Sequence, residues 1–553
     1  MNFLTSEYIA LLKEDGELDA LLIDILISRG ITPISKPQKG RQYGVDIAAI
    51  GNDTDGIKKI FLITVKQGNI RRSVWDTGPN SVRQSLNDIR ETFINISLTS
   101  SQKKLPKKII LATNGELEQT TQVSWAQYTE TYKANNLEYQ FWGIDDISKM
   151  VSDNLLSERL FNSEMRLLLK RTLAFLELKD YDLNHFKKLV DLILDKPIKT
   201  KKPLLKRLKL LQICLNIVFK WAEDNGYIKS AIYAADKTIL KTFEWLNEQG
   251  HFKEKYVHLE FYEIHILRRR IGIAYFKKVS GHYYIEHSLQ RYSRNQIEYS
   301  LTVWEEIGIL ANIGLTEIKH YQYHYDSKAP DAASIYHEAA ITIAEALIEL
   351  INKNPPSHYP LYDDHIIDIA PAFQFLYSIG FKEQCVKWLR TLVVGIHDSQ
   401  LLKDFFPLFR ANYENLVDYY VGTKKQDEKS SMLLTLLADW SAILNSTEAY
   451  SDLKKIVELF KNKLNLQIWF PKPETENFYL SNDYSRKSGK VKHSINLYDS
   501  LDDYKKEIED EIKLFTVEKD FSAVKIGYDL IFTITSGYHR ELPFPIFWRR
   551  FIK

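Results

Sequence analysis

Two strand-like runs, Val45–Ile50 and Ile60–Lys66, flank the turn-rich stretch Gly51-Asn52-Asp53-Thr54-Asp55-Gly56. Glycine, asparagine and aspartate tolerate the backbone angles of tight turns, so the two runs are predicted to pair as an antiparallel hairpin. A helix precedes it. Leu18, Leu21, Leu22, Ile25 and Leu26 recur at helical spacing, with Ile23 and Ile27 filling much of the other side. A helix this apolar around its circumference is expected to be buried. It stops at Gly30, and Pro33 and Pro37 mark the next segment as a loop.

After the hairpin comes a loop with Gly68, Trp75, Gly78 and Pro79, then an amphipathic helix over Ser81–Ile96. A short strand, Lys108–Thr113, is bounded by Asn114-Gly115. Another helix over Thr120–Ala134 and a strand over Leu137–Trp142 complete the set. Helix, strand, strand, helix, strand, helix, strand is the order of an α/β domain, a mixed sheet flanked by helices, over residues 1–162. From about residue 165 long helical patterns take over, as in Leu204–Trp221, Ser230–Gln249, Ala332–Asn352 and Ser430–Leu444. The expectation is a large, mainly α-helical region over 163–470 with a strand near Gln467–Phe470. A polar loop (Lys472–Ser494) and a C-terminal helical segment would fill 471–553. No fixed-period repeat is evident, and a helical-hairpin solenoid stays open.

At 553 residues the chain is long enough for several buried cores. Lys+Arg 74 against Asp+Glu 72 leaves a net charge of +2, so any nucleic-acid surface must be a local patch. Cys214 and Cys385 each sit in an apolar helical pattern; no disulfide framework or CxxC zinc pair is present. The N-terminus lacks the regions of a signal peptide, and no apolar run is long enough for a membrane span. A cytoplasmic protein is expected, with no membrane partner.

Chemistry concentrates on the hairpin, in Gly44-Val45-Asp46 and Thr64-Val65-Lys66. Residues two apart on a strand share a face, so Thr64 and Lys66 point the same way, with Leu62 beneath them. Pairing of the two strands would bring Asp46 beside Lys66. A carboxylate can hold Mg²⁺, which commonly takes one or two carboxylates and leaves the rest of its shell to water and phosphate. A nearby lysine can orient or deprotonate a nucleophile. The bland reading of the same pair is a surface ion pair on an unrelated hairpin.

These residues resemble the PD-(D/E)xK restriction-endonuclease-like superfamily, most closely its Mrr-like branch. The resemblance rests on the helix opening Leu18-Asp19-Ala20-Leu21-Leu22 and ending at Gly30, on Gly44-Val45-Asp46, and on Ile63-Thr64-Val65-Lys66-Gln67. It covers roughly the first 70 residues by motif and about 160 by the order of elements. It implies a restriction-endonuclease-like fold, with Asp46 holding Mg²⁺ (or Mn²⁺), Lys66 orienting or activating water, and Asp19 binding the metal through water. Gln67 would hydrogen-bond the scissile strand. Two departures stand out: Asp19 replaces the usual glutamate, with Glu17 as a substitute at poorer spacing, and Thr64 replaces the second metal-binding acid or amide. A threonine oxygen can ligate but brings no charge.

Arg71, Arg72, Trp75 and Arg83 follow the motif strand and are read either as phosphate and base-stacking contacts or as a solvated loop anchored by Trp75. His320-x-x-x-His324 has metal-like spacing but no glutamate between the histidines, which favours helix packing. Lys201–Lys209 and Arg268-Arg269-Arg270 are local basic clusters, read as solvated faces or as contacts to nucleic acid or an acidic partner. The expected function is a metal-dependent endonuclease, acting on DNA in preference to RNA. Its helical region would sense, oligomerise or dock partners, a separate NTPase among them, as in bacterial antiphage-defence effectors. The alternative is a catalytically inactive nuclease-fold scaffold or nucleic-acid-binding subunit.

Overall fold

The computed structural model describes residues 6, 8–35, 43–154, 163–178, 181–423, 430–460, 463–471, 476, 489–514, 520–540 and 547–552. The chain forms two compact units, Met1–Tyr227 and Ile228–Lys553. The change to helical patterning near residue 163 thus falls inside the first unit, which takes in three further helices.

In the first unit, strands β1 (Thr32–Ser35), β2 (Ile47–Asn52), β3 (Lys58–Lys66), β4 (Lys107–Thr113) and β5 (Leu137–Trp142) form one sheet in the order β1-β2-β3-β4-β5. β1–β2 and β2–β3 pair antiparallel, whereas β3–β4 and β4–β5 pair parallel. The sheet is mixed, as expected, but β1 occupies the segment read as a loop. Pro33 lacks an N–H to donate, and an edge strand tolerates that loss; the register shifts between Pro33 and Ser35. Two prolines close together in sequence had hidden this strand.

Its helices include α1 (Asp19–Ser28), α2 (Arg72–Asp76), α3 (Val82–Asp88), α4 (Gln119–Tyr132), α5 (Ile144–Asn154), α6 (Ser163–Phe175), α7 (Asn184–Ile193) and α8 (Lys201–Asn225). The helix expected over Ser81–Ile96 is present but widens into a π-turn at Ile89–Phe93. One face of the sheet, with Ile60, Leu62, Ile109 and Leu111, packs on Trp75, Val82, Leu86, Ile89 and Tyr128 from α2, α3 and α4 and the π-turn. The alternate residues of β3, Phe61, Ile63 and Val65, are equally buried and point to the opposite face. On its hairpin-turn end the sheet is clamped by ions: buried Lys59 bonds Asp53 at 3.0 Å and Glu138 at 2.9 Å, and Lys108 bonds Asp53 at 2.7 Å. Against the effect of burial, Lys108 and Lys59 hold the Asp53 pKa at about 2.

The second unit is largely helical. Its longest helices are Ile228–Glu248, Lys255–Tyr283, Gln296–Asp326, Pro330–Lys353 and Lys382–Lys403. The strand expected near Gln467–Phe470 is Ile468–Pro471, and it pairs antiparallel with Gly489–Lys492. The latter lies inside the stretch Lys472–Ser494 read as a loop; most of that stretch falls outside the described residues, as does Pro543-Phe544-Pro545. The interior of this unit is rich in ion pairs. Arg268 is buried and bonds Asp236 at 2.5 Å, and Arg269 bonds Glu317 at 2.7 Å. The arginine run is therefore not a solvated face, because two of its members neutralise carboxylates on neighbouring helices. His320 is also internal, with Tyr262 at 3.1 Å and the Tyr336 ring stacked upon it. Burial, with help from Arg269 and His324, lowers its pKa to about 4. Both cysteines are buried and free. Among the described residues, no helix is long and apolar enough to cross a membrane.

Candidate active site

Gly44 sets the geometry at the start of the site. Its φ is +78°, and a Cβ there would overlap the backbone carbonyl of Ser85 on α3. Only glycine fits both demands at low cost. The chain then enters β2 with the Asp46 N–H donating to the Ile63 carbonyl at 2.9 Å. Continuing the β2–β3 register places Asp46 opposite Thr64. The Asp46 Oδ2 atom accepts the Val65 N–H at 2.6 Å and the Thr64 hydroxyl at 3.4 Å. One carboxylate oxygen is thereby spent on the hairpin, and Oδ1 is left for other work.

Burial raises the Asp46 pKa from its ordinary value, and the charge of Asp19 adds to the rise. The Val65 N–H and the Lys66 ammonium pull the other way. Asp46, Lys66 and Asp19 are thus electrostatic neighbours. Asp19 begins α1, is 6% exposed, and accepts the Ala20 N–H at 2.6 Å.

Sequence reasoning missed Glu14. Residues Glu14–Leu18 form a π-turn with Asp15 extended and Gly16 at φ 78°, and this irregular turn swings Glu14 over the end of β3. Its carboxylate lies 3.8 Å from Lys66 Nζ and accepts the Gln67 N–H at 3.1 Å. Burial raises the Glu14 pKa, and Asp46 and Asp15 reinforce this against Lys66 and the Gln67 N–H. Glu17, the sequence-based substitute for Asp19, is committed elsewhere, to Lys206 at 2.5 Å and the Lys13 N–H at 2.8 Å. An acidic residue just ahead of a predicted helix was the available signal, but the positive-φ Gly16 that directs it was not legible as such.

Behind the site, Asn114 joins three segments. Its side-chain nitrogen donates to the carbonyls of Ile9 at 3.0 Å and Leu12 at 2.9 Å, and its oxygen accepts the Gly68 N–H at 2.7 Å. The Thr113 hydroxyl donates to the Gly68 carbonyl at 2.6 Å. The N-terminal segment and the loop after β3 are thus tied to the end of β4.

Several expectations need correction. Thr64 is 1% exposed and its hydroxyl donates to Asp46, so it serves as a support for the carboxylate instead of a ligand open to a metal. Trp75 is 2% exposed and meets Trp125 and Tyr128 edge to face in the core, which removes it from base stacking. The Gln67 side-chain nitrogen donates to the Leu12 carbonyl at 3.0 Å, turning it toward the N-terminal segment. Arg71 pairs with Glu118 at 3.0 Å and Arg83 with Asp76 at 3.4 Å; both are exposed, as is Arg72. These three arginines sit on the surface after β3.

Among the described residues, no group of three or more His, Cys, Asp or Glu side chains is arranged to hold a metal ion alone. Two carboxylates could offer oxygen to a cation, Asp46 through Oδ1 and Glu14; burial raises the proton affinity of both, with Asp19 adding to the rise at Asp46 and Asp46 to that at Glu14. Such oxygen donors suit a hard divalent cation completed by water. Comparison with protein-family models, with curated proteins and with solved structures finds no match for this chain.

Proposed function

We propose that the first unit is a restriction-endonuclease-like nuclease domain that cleaves phosphodiester bonds with Mg²⁺ or Mn²⁺, on DNA in preference to RNA. The observation that carries this reading is the pairing of Asp46, anchored on Val65, with the Lys66–Glu14 ion pair at the end of the same hairpin. Asp46 Oδ1 and Glu14 would hold the cation. When bound, such an ion supplies charge neutralisation at the phosphate and a more acidic water. Lys66, 15% exposed at its side chain, would hold the attacking water and compensate charge on the phosphate oxygens. The helical unit is proposed to sense a trigger, oligomerise or dock a separate NTPase, in an antiphage-defence effector of the cytoplasm.

The test is cleavage of supercoiled plasmid and single-stranded nucleic acid with Mg²⁺ or Mn²⁺, comparing wild type with Asp46→Ala and Lys66→Ala. Metal-dependent cutting by wild type alone is the expected result. Equal cutting by both variants would defeat the site assignment. A second reading, a non-catalytic nucleic-acid-binding scaffold, is favoured by the buried Thr64 where a second acid would stand. It requires binding by wild type with no cleavage under either metal.

A further inference from the structure

The basic run Lys201–Lys209, left unassigned by sequence, opens α8 beside the candidate site. Its Lys202, Lys206 and Arg207 line a cleft of about 550 Å³ together with Lys13 and Lys196. Two acids, Glu17 and Asp195, line it as well. Five cations against two carboxylates leave an excess of three positive charges in one concavity of a chain that is nearly neutral overall. Low-dielectric walls concentrate such a field. The floor is apolar, with Leu192, Ile198 and Leu210 among its residues.

The cleft adjoins the site through one turn of backbone. Lys13 and Glu17, which line it, flank Glu14, which bonds Lys66 and Gln67. Lys206 and Arg207 are held in place by Glu17 at 2.5 Å and Asp195 at 3.2 Å. Lys196 and Lys202 are exposed. An apolar floor with a fixed inner pair of cations and an outer pair reaching into solvent suits a polyanion with apolar faces.

We propose that this cleft holds the sugar–phosphate backbone of a nucleic acid leading to Asp46 and Lys66. The inference rests on the nuclease-domain reading for its direction, but binding in the cleft can be measured without cleavage. Lysine and arginine at phosphates release condensed counterions, so binding here must weaken with salt.

The experiment uses the full chain, without divalent cation, and fluorescence anisotropy of a labelled single-stranded oligonucleotide and of its duplex across a salt series. The double reversal Lys196→Glu/Lys202→Glu is expected to weaken binding at least about tenfold and to reduce the log–log salt slope by about 2. Lys196→Gln/Lys202→Gln should give a smaller loss in the same direction and carries the test if the reversal fails to fold by circular dichroism. Lys133→Glu, an exposed change at the far end of α4, should leave binding as it was. The proposal is overturned if both double variants bind like Lys133→Glu, or if wild type binds neither oligonucleotide. Binding to phosphatidylglycerol vesicles alone would overturn it too. Loss of binding in the variants, with no cleavage by wild type, would keep the cleft and remove the nuclease; cleavage by wild type with unchanged binding in the variants would do the reverse.

Discussion

The Asp46 carboxylate accepts the backbone N–H of Val65 at 2.6 Å, so one side chain both locks the hairpin and presents a free oxygen at its end. Val65 is buried, and losing this acceptor leaves its N–H without a partner. Asp46→Ala should therefore destabilise the first unit by about 1–3 kcal/mol. Asp46→Asn, which keeps an oxygen toward Val65 without the buried charge, should be at least as stable as wild type in urea unfolding at neutral pH while losing metal-dependent cleavage as fully as the alanine variant. Equal stability of the two variants would count against the dual role.

Glu14 and Asp46 both have pKa values raised above those of the unfolded chain. Between the unfolded value, about 4, and the raised folded values, the native state binds more protons than the unfolded one. Their contribution to stability is thus present at low pH and lost as pH rises through that window. Glu14→Gln should flatten this loss and raise the melting temperature at neutral pH, while metal affinity falls by more than the roughly 10–100-fold that losing a hydrogen-bond partner of a ligand costs. Mg²⁺ should raise the melting temperature of wild type and not that of Asp46→Ala. A stabilised Glu14→Gln variant with wild-type metal affinity would remove Glu14 from the shell.

Gly44→Ala puts a side chain at φ +78° against the Ser85 carbonyl. The left-handed backbone alone costs about 1–2 kcal/mol, and the overlap adds to it. Urea unfolding should show a loss larger than that range, and cleavage should fall because the entry to Asp46 shifts.

Trp75→Ala separates core from interface. Its ring packs among Trp125, Tyr128 and the sheet, and truncation should cost about 3–5 kcal/mol. Nucleic-acid affinity per folded molecule should not change. A stable variant with weakened binding would restore the stacking role.

Asp363 in the second unit accepts hydrogen bonds from Ser431 at 2.5 Å, the Met432 N–H at 2.9 Å and the Leu433 N–H at 3.2 Å, where helix Leu433–Ile443 begins. Burial nevertheless pushes its pKa up to about 7. The unfolded carboxyl titrates near 4, so its stabilising contribution is complete below that value and fades as pH climbs toward about 7. Asp363→Asn should remove this part of the pH dependence in urea titrations at pH 4 and pH 8. An unchanged difference between those two pH values would assign it to other groups.

Strands β2 to β5 and the helix Asp19–Ser28 were legible because alternation, apolar periodicity and glycine punctuation are local signals. The same local logic expected the hairpin to bring Asp46 beside Lys66, and the register then sets Asp46 opposite Thr64. It misread Thr32–Ser35, where an edge position excuses a proline, and left Trp75 open between stacking and anchoring, because its burial depends on a helix more than forty residues later in the chain. The sequence by itself determined the hairpin, its charged end and the succession of an α/β part by a helical one. Only tertiary structure decided that Glu14, and not Glu17, faces Lys66, that Thr64 is spent on Asp46, and that the arginines at 268 and 269 are internal ion pairs. The physical reason is range: periodicity reports which face of an element is apolar, whereas the partner of a charge is set by a turn or by helices that only the folded chain brings alongside.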